Sequence, residues 1–407
     1  MNSSSTQQPP VTWDLGALYQ RPVTHPAPEL KASGVKGMFL EGLPYQGKPT
    51  RVFAWYGLPD VATGQKVPAM VLVHGLTGTA FSQWVRLWTA RGYAAIAIDW
   101  NGQIPQVLPE PELAAVKARR GLTYFRRHEQ AGPPVDTCMN GCDLPMADQW
   151  QYHAVAAIIQ ACSFLASQPE VDADRIGLTG ISWGAYLSCI ISGVDHRFKF
   201  IMPVYGCGFL DEESIWGPTF VTMGPDKTRQ WMDTWDPSRY VGFSDVPMLF
   251  ISGPNDPGFG FGPLLKTAGL AKGPVTLCIR PRMVHGHEQG YAPAELYAFA
   301  DSIFKGSPGL VKVLEVSRKD KGVFINYELP HNGDAKVVWG ELIYTTETNK
   351  WLDRRWQIEP VELVSGKLQV KTALPEGTIA WYVNLIDSRG LLVSADPQGV
   401  VQTPAPS

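Results

Sequence analysis

Gly180-Ile181-Ser182-Trp183-Gly184 places a serine between two glycines, one two residues before it and one two residues after. Residues 175–179 precede it as a short, largely apolar run that reads as a buried strand. Residues 185–191 follow as an apolar, helix-compatible run. A strand, this pattern and a helix make a nucleophile elbow, a tight turn that holds a serine hydroxyl out over the end of a sheet. The glycines let the backbone bend without side-chain clashes. The first amides of the helix then face whatever the hydroxyl attacks. With 40 glycines in 407 residues, such flanking arises by chance at about one serine in a hundred. The pattern therefore draws its meaning from what the rest of the chain supplies.

A serine nucleophile needs a base and a group to orient that base, here in the chain order serine, acid, histidine. Asp256 follows the apolar run 246–252 in a Gly/Pro-rich loop, where an aspartate on its own would be an ordinary turn residue. His285 and His287 both follow the run ending at Ile279 and precede the next helical pattern. His285 is the preferred base, lying six residues past Ile279, with His287 as the alternative. His74-Gly75-Leu76 ends another buried run, so the backbone N–H groups of Leu76 and Trp183 are the expected oxyanion hole. His74 itself is assigned no chemistry.

The elements that must position these groups alternate. Runs 69–74 and 93–99 read as strands buried on both faces, and residues 82–91 and 147–165 as helices. That rhythm predicts an α/β fold, a doubly wound, mostly parallel sheet with helices on both faces. It spans residues 34–306, interrupted by an irregular insertion at 101–147 and an aromatic, cap-like stretch at 208–240. Trp216, Trp231 and Trp235 of that stretch are expected to wall the substrate site, since insertions after such strands lie above their carboxyl ends. Residues 1–33 are Pro-rich and read as an extended surface segment, with Trp13 and Tyr19 as anchors. From about residue 310 the period changes to two, and residues 310–402 predict a small all-β, immunoglobulin-like sandwich packed on the catalytic domain.

A net charge of −3 gives no electrostatic case for nucleic acid or an anionic membrane as partner, and no apolar run reaches the ~18 residues of a membrane span. The polar start lacks the apolar core of a signal peptide, and is equally the start expected of a trimmed, secreted protein. Cys138 and Cys142 sit in one loop and are candidates for a small disulfide, whereas Cys162, Cys189, Cys207 and Cys278 read as buried small hydrophobes. No metal, nucleotide or flavin motif is present, so no cofactor is expected.

These residues resemble the α/β-hydrolase superfamily, within its dienelactone hydrolase and bacterial acetylxylan esterase branches. The resemblance covers residues 34–305 and is carried by Thr179–Leu187, Pro203–Leu210, Asn255-Asp256 and His285-Gly286-His287. It implies a serine esterase acting through an acyl-enzyme on acylated carbohydrate. A secreted or periplasmic location is expected, with a cytoplasmic one left open. Gly286-His287-Glu288 is also similar to the Gly-His-Glu of cephalosporin-C deacetylase relatives, whereas His285-Gly286 matches the His-Gly pair of dienelactone-type hydrolases. Pro257–Phe261 departs from the Phe-Ala-Tyr-Pro of acetylxylan esterases, which predicts a different pocket wall there. Two other readings remain open: a serine peptidase of the oligopeptidase type, and a catalytically dead binding module.

Overall fold

The computed structural model describes residues 8–106, 125–135, 139 and 141–395. β1 (Thr24–Ala32), β2 (Val35–Tyr45) and β3 (Lys48–Gly57) form an antiparallel meander. β4 (Val67–Val73) and β5 (Ala94–Ile98) follow, and every residue of both is buried. β6 (Gln103–Pro105) and β7 (Phe125–Arg127) make a separate ribbon in the insertion. β8 (Val171–Ile181), β9 (Ile201–Val204), β10 (Met248–Ser252) and β11 (Val275–Ile279) complete the parallel part. The order β5-β4-β8-β9-β10-β11 is parallel throughout, with β3 antiparallel on β5.

β4 shows why these strands are apolar at every position. Ala69, Val71 and Val73 face one core cluster, with the helices Trp150–Ala166 and Trp183–Ser192. Met70 and Leu72 face the other, with the helices Ser82–Thr89 and Ala294–Lys305. Helices on both faces bury both sides of the sheet, as the alternation predicts. The chain steps from β4 to β5 on one side and reaches β8 on the other, so the loops after β4 and β8 flank a crevice at the switch in strand order. Cys162, Cys189, Cys207 and Cys278 are buried.

The N-terminal segment is more regular than expected. Trp13 stacks on Tyr152 at 5.2 Å and donates Nε1–H to its carbonyl at 3.0 Å. A short helix, Leu15–Leu18, leads into β1. Pro26 and Pro28 hide this strand from a sequence reading, and an edge position tolerates them because one side of an edge strand makes no ladder. Cys138 lies outside the described residues, and with it the candidate Cys138–Cys142 pair; Cys142 itself is half-buried.

The C-terminal strands are β12 (Lys312–Lys319), β13 (Gly322–Glu328), β14 (Val337–Thr345), β15 (Gln357–Pro360), β16 (Glu362–Leu363), β17 (Gln369–Ala373), β18 (Ala380–Asp387) and β19 (Leu392–Ala395). They form two sheets that enclose Val323, Ile325, Val370, Val383 and Leu385. The four-stranded one is ordered β12-β13-β17-β16. The other is not separate: β19 pairs antiparallel with β11, so the catalytic sheet runs on through β19-β18-β14-β15 to thirteen strands. Buried polar groups lock the junction. Ser394 Oγ accepts Ile279 N–H at 2.7 Å and donates to Asn384 Oδ1 at 2.6 Å, and the fully buried Glu295 accepts Leu392 N–H at 2.7 Å. The change of period near residue 310 thus marks no end of the sheet.

Truncation after residue 308 is therefore expected to give insoluble protein or a large fall in Tm. The cut bares the edge of β11 and strips the Leu392 N–H from Glu295, in a fold whose whole stability is about 5–15 kcal/mol. A thermal melt of the soluble fraction checks this, and an unchanged Tm contradicts it.

Candidate active site

Ser182 stands between β8 and the helix Trp183–Ser192 with φ 58 and ψ −119, a strained conformation for a residue with a side chain. The flanking glycines permit it. A Cβ on Gly180 would collide with the carbonyl of Gly184, and one on Gly184 with the carbonyl of Val73. Ser182 N–H donates to Val204 O at 2.9 Å, tying the turn to β9.

Three loops from three strand ends converge on this serine. His285, after β11, has Nε2 2.9 Å from Ser182 Oγ and Nδ1 2.8 Å from Asp256 Oδ2. Asp256, after β10, is buried, and its other oxygen accepts the N–H groups of Gly258 at 2.9 Å and Phe259 at 2.8 Å. Both carboxylate oxygens are thereby fixed. His285 packs on Tyr205, ring centroids 4.4 Å apart, and the Tyr205 hydroxyl donates to the carbonyl of Gly286. Burial holds that phenol protonated by raising its pKa, so it stays a donor.

His287 does not reach the serine. Its Nε2 accepts the N–H of Gly75 at 2.8 Å, in the loop after β4. The polar groups around Leu76 are held in turn. His74 O accepts from Trp100 Nε1 at 2.8 Å, Gly75 O lies 2.6 Å from His74 Nδ1, and Leu76 O accepts from Asn101 Nδ2 at 3.0 Å. Leu76 N–H has no intramolecular partner among the described residues. Trp183 N–H is the first amide of its helix, where no intrahelical acceptor exists. Gly75 lies so near Ser182 that a Cβ on it would sit 3.0 Å from the serine Cβ. The loop carrying Leu76 and the helix carrying Trp183 thus meet beside the hydroxyl. His74 is buried, with Nε2 3.3 Å from Asp99 Oδ2.

The three cap tryptophans part company. Trp216 is half-buried, 4.8 Å from the Trp183 ring and 4.9 Å from Phe259, itself stacked 6.5 Å from His285. Trp231 and Trp235 are fully buried and cannot wall the site, which corrects the expectation for both. Trp231 packs on Tyr186 and Phe220, and Trp235 donates Nε1–H to Gln149 Oε1 at 2.7 Å. Their helix, Pro225–Trp235, needs an apolar face to sit on the fold, and these rings supply it. Trp231→Ala is expected to cost about 3–5 kcal/mol of stability by emptying a large core volume, measured by denaturant melts.

Sequence reasoning named Asn255 only as part of a motif and missed the loop it holds. Its Nδ2 donates to the carbonyls of Trp351 at 2.9 Å, Leu352 at 3.0 Å and Arg354 at 2.8 Å. Trp351 N–H donates to Glu213 Oε2 at 2.9 Å. A C-terminal loop is therefore bound directly beside Asp256 and beside the cap. The only signal in the sequence was an asparagine next to the acid. Among the described residues no group of three or more His, Cys, Asp or Glu forms a metal-binding cluster, and no helix is long and apolar enough to cross a membrane.

No curated protein sequence matches the chain. Two family models do, one described as acetyl xylan esterase (AXE1) over residues 38–212 and one as the prolyl oligopeptidase family over residues 145–307. Among solved structures, the acetyl xylan esterase from Paenibacillus sp. R4 is similar with TM-score 0.53 and 17% identity, covering 71% of this chain and 92% of that one. Acetyl xylan esterase 1 from Thermoanaerobacterium sp. JW/SL YS485 is similar with TM-score 0.51 and 15% identity, covering 69% and 91%. At these identities the structures speak for the fold, and the first family model spans both the loop after β4 and the elbow. With its strand order and its serine turn, the chain has the α/β-hydrolase fold of these structures, and its residues 38–212 match the acetyl xylan esterase model.

Proposed function

We propose that this carboxylic ester hydrolase removes acetyl or similar small acyl groups from carbohydrate through an acyl-enzyme on Ser182. The observation that carries the reading is the unbroken relay from Ser182 Oγ through His285 to Asp256, at 2.9 and 2.8 Å. His285 Nε2 takes the hydroxyl proton as Oγ attacks the ester carbonyl. The N–H groups of Leu76 and Trp183 receive the developing oxyanion. Collapse breaks the bond to the alcohol, which leaves with the proton returned by His285. Water, activated by the same nitrogen, then releases the acid. Asp256 holds the Nδ1–H tautomer and stabilises the imidazolium. The substrate class is supported by the acetyl xylan esterase model match, and a secreted or periplasmic location accompanies that substrate in the proposal.

Trp216 is the cap residue proposed to wall the acyl or sugar site, supported by its contact with Phe259 beside His285. Trp216→Ala is expected to change the relative kcat/KM across acetylated, feruloylated and methyl-esterified saccharides, with a smaller loss of stability than Trp231→Ala because the ring is only half-buried. An unaltered ranking would remove Trp216 from the site.

The prolyl oligopeptidase match over residues 145–307 favours a second reading, cleavage of peptide amides by the same acyl-enzyme. That stretch contains the whole relay, which ester and amide hydrolases share. The purified chain is expected to turn over acetylated xylo-oligosaccharides and to leave peptide amides intact. The reverse preference would establish the peptidase.

A further inference from the structure

We infer that His287 is a positioning residue that holds the oxyanion loop, by accepting the Gly75 N–H at Nε2 so that the Leu76 N–H faces the substrate at Ser182. The inference rests on the esterase reading and adds a role for a residue outside the relay. The Gly75 N–H to Nε2 distance is 2.8 Å, and the ring is wedged in place. It lies 4.6 Å from the Phe81 ring, and a Cβ on Gly78 would come within 3.0 Å of its Cε1 and Nε2. A Cβ on Gly75 would stand 3.2 Å from Nε2. Glycine at 75 and 78 is what lets the loop close on this histidine.

The acceptor role needs a neutral ring with its proton on Nδ1. Burial, reinforced by His74 and His285, lowers the His287 pKa to about 3, so Nε2 keeps its lone pair at any working pH. One three-residue segment then serves both halves of the chemistry. His285 contacts the nucleophile, Gly286 O is held by Tyr205, and His287 holds the loop that ends β4. Reorienting the 74–75 peptide would turn the Leu76 N–H away, since Gly75 and Leu76 share a short, fixed path.

The test compares His287→Phe, His287→Gln and His287→Ala with the wild type on a small acetyl ester. Phe keeps the bulk and loses the acceptor, whereas Gln keeps an acceptor oxygen. Losing a whole oxyanion donor costs about 10²–10³ in kcat. Misplacing one is expected to cost Phe and Ala about tenfold to a hundredfold in kcat, with KM nearly unchanged. Gln should recover most of the loss. A boronic acid that forms a tetrahedral adduct on Ser182 should weaken in step with kcat. Wild-type kcat in the Phe variant, or equal losses in Phe and Gln, would overturn the inference. The ¹⁵N shifts of the wild-type ring test it without substitution. A neutral ring with Nδ1 protonated and Nε2 accepting is expected, and protonation at Nε2 would overturn it. Ser182→Ala is the control for the parent reading, because a fully active Ser182→Ala would remove that reading whatever the His287 variants do.

Discussion

Ser182→Ala is expected to lower turnover of an activated acetyl ester by about a millionfold while leaving Tm and circular dichroism unchanged. The expectation of an intact fold comes from the elbow. Serine and alanine both carry a Cβ, so the strain at φ 58 is the same for each. The bond that ties the turn to β9 uses the backbone N–H and survives the change. What disappears is the oxygen facing His285 Nε2, and with it the acyl-enzyme. Residual rate of about 10³–10⁴ over water is expected to persist from the oxyanion donors and substrate binding. A folded variant with most of its activity would remove Ser182 from the chemistry.

His285→Ala is expected to be nearly as damaging, again by about a millionfold, because nucleophile and base act as one unit. The double variant Ser182→Ala/His285→Ala should therefore be little worse than either single change. His285 has a half-open position over the site, and the carboxylate behind it is buried and already accepts two backbone N–H groups. Asp256 thus keeps partners when the imidazole is removed, which makes a folded variant the expected outcome. Parallel kinetics on His287→Ala separate the two histidines, with a loss several orders of magnitude smaller. If His287→Ala were the dead enzyme and His285→Ala the active one, the two histidines would exchange roles.

Much of the architecture was legible because local pattern and tertiary role coincide. β4 and β5 are apolar at every position, and the fold buries both their faces. The glycine pair around Ser182 was readable because sterics leave no alternative there. Position alone could not separate His285 from His287. They stand two apart in one loop, and only the packing of Tyr205 and Phe81 sends one ring to the serine and the other to Gly75. Trp231 and Trp235 failed for a related reason: aromatic residues in a cap serve its own core as readily as a pocket, and sequence does not say which face they occupy. The C-terminal strands alternated as a sandwich should, yet nothing in that pattern says that β19 will pair with β11. That pairing is a long-range match between Leu277 and Ser394, set by Ser394, Asn384 and Glu295 at the junction. Asn255 belongs to the same class, since its three acceptors lie about a hundred residues away in sequence.

The central claim is that Ser182, activated by His285, is the residue that takes the acyl group. Peptide mapping by mass spectrometry after reaction with a fluorophosphonate tests it most directly, because the probe marks a serine only where a base and an oxyanion site make it reactive. One adduct is predicted, on the peptide carrying Ser182, absent from Ser182→Ala and formed far more slowly in His285→Ala. An adduct on another residue, or labelling of Ser182 at the wild-type rate without His285, would contradict it.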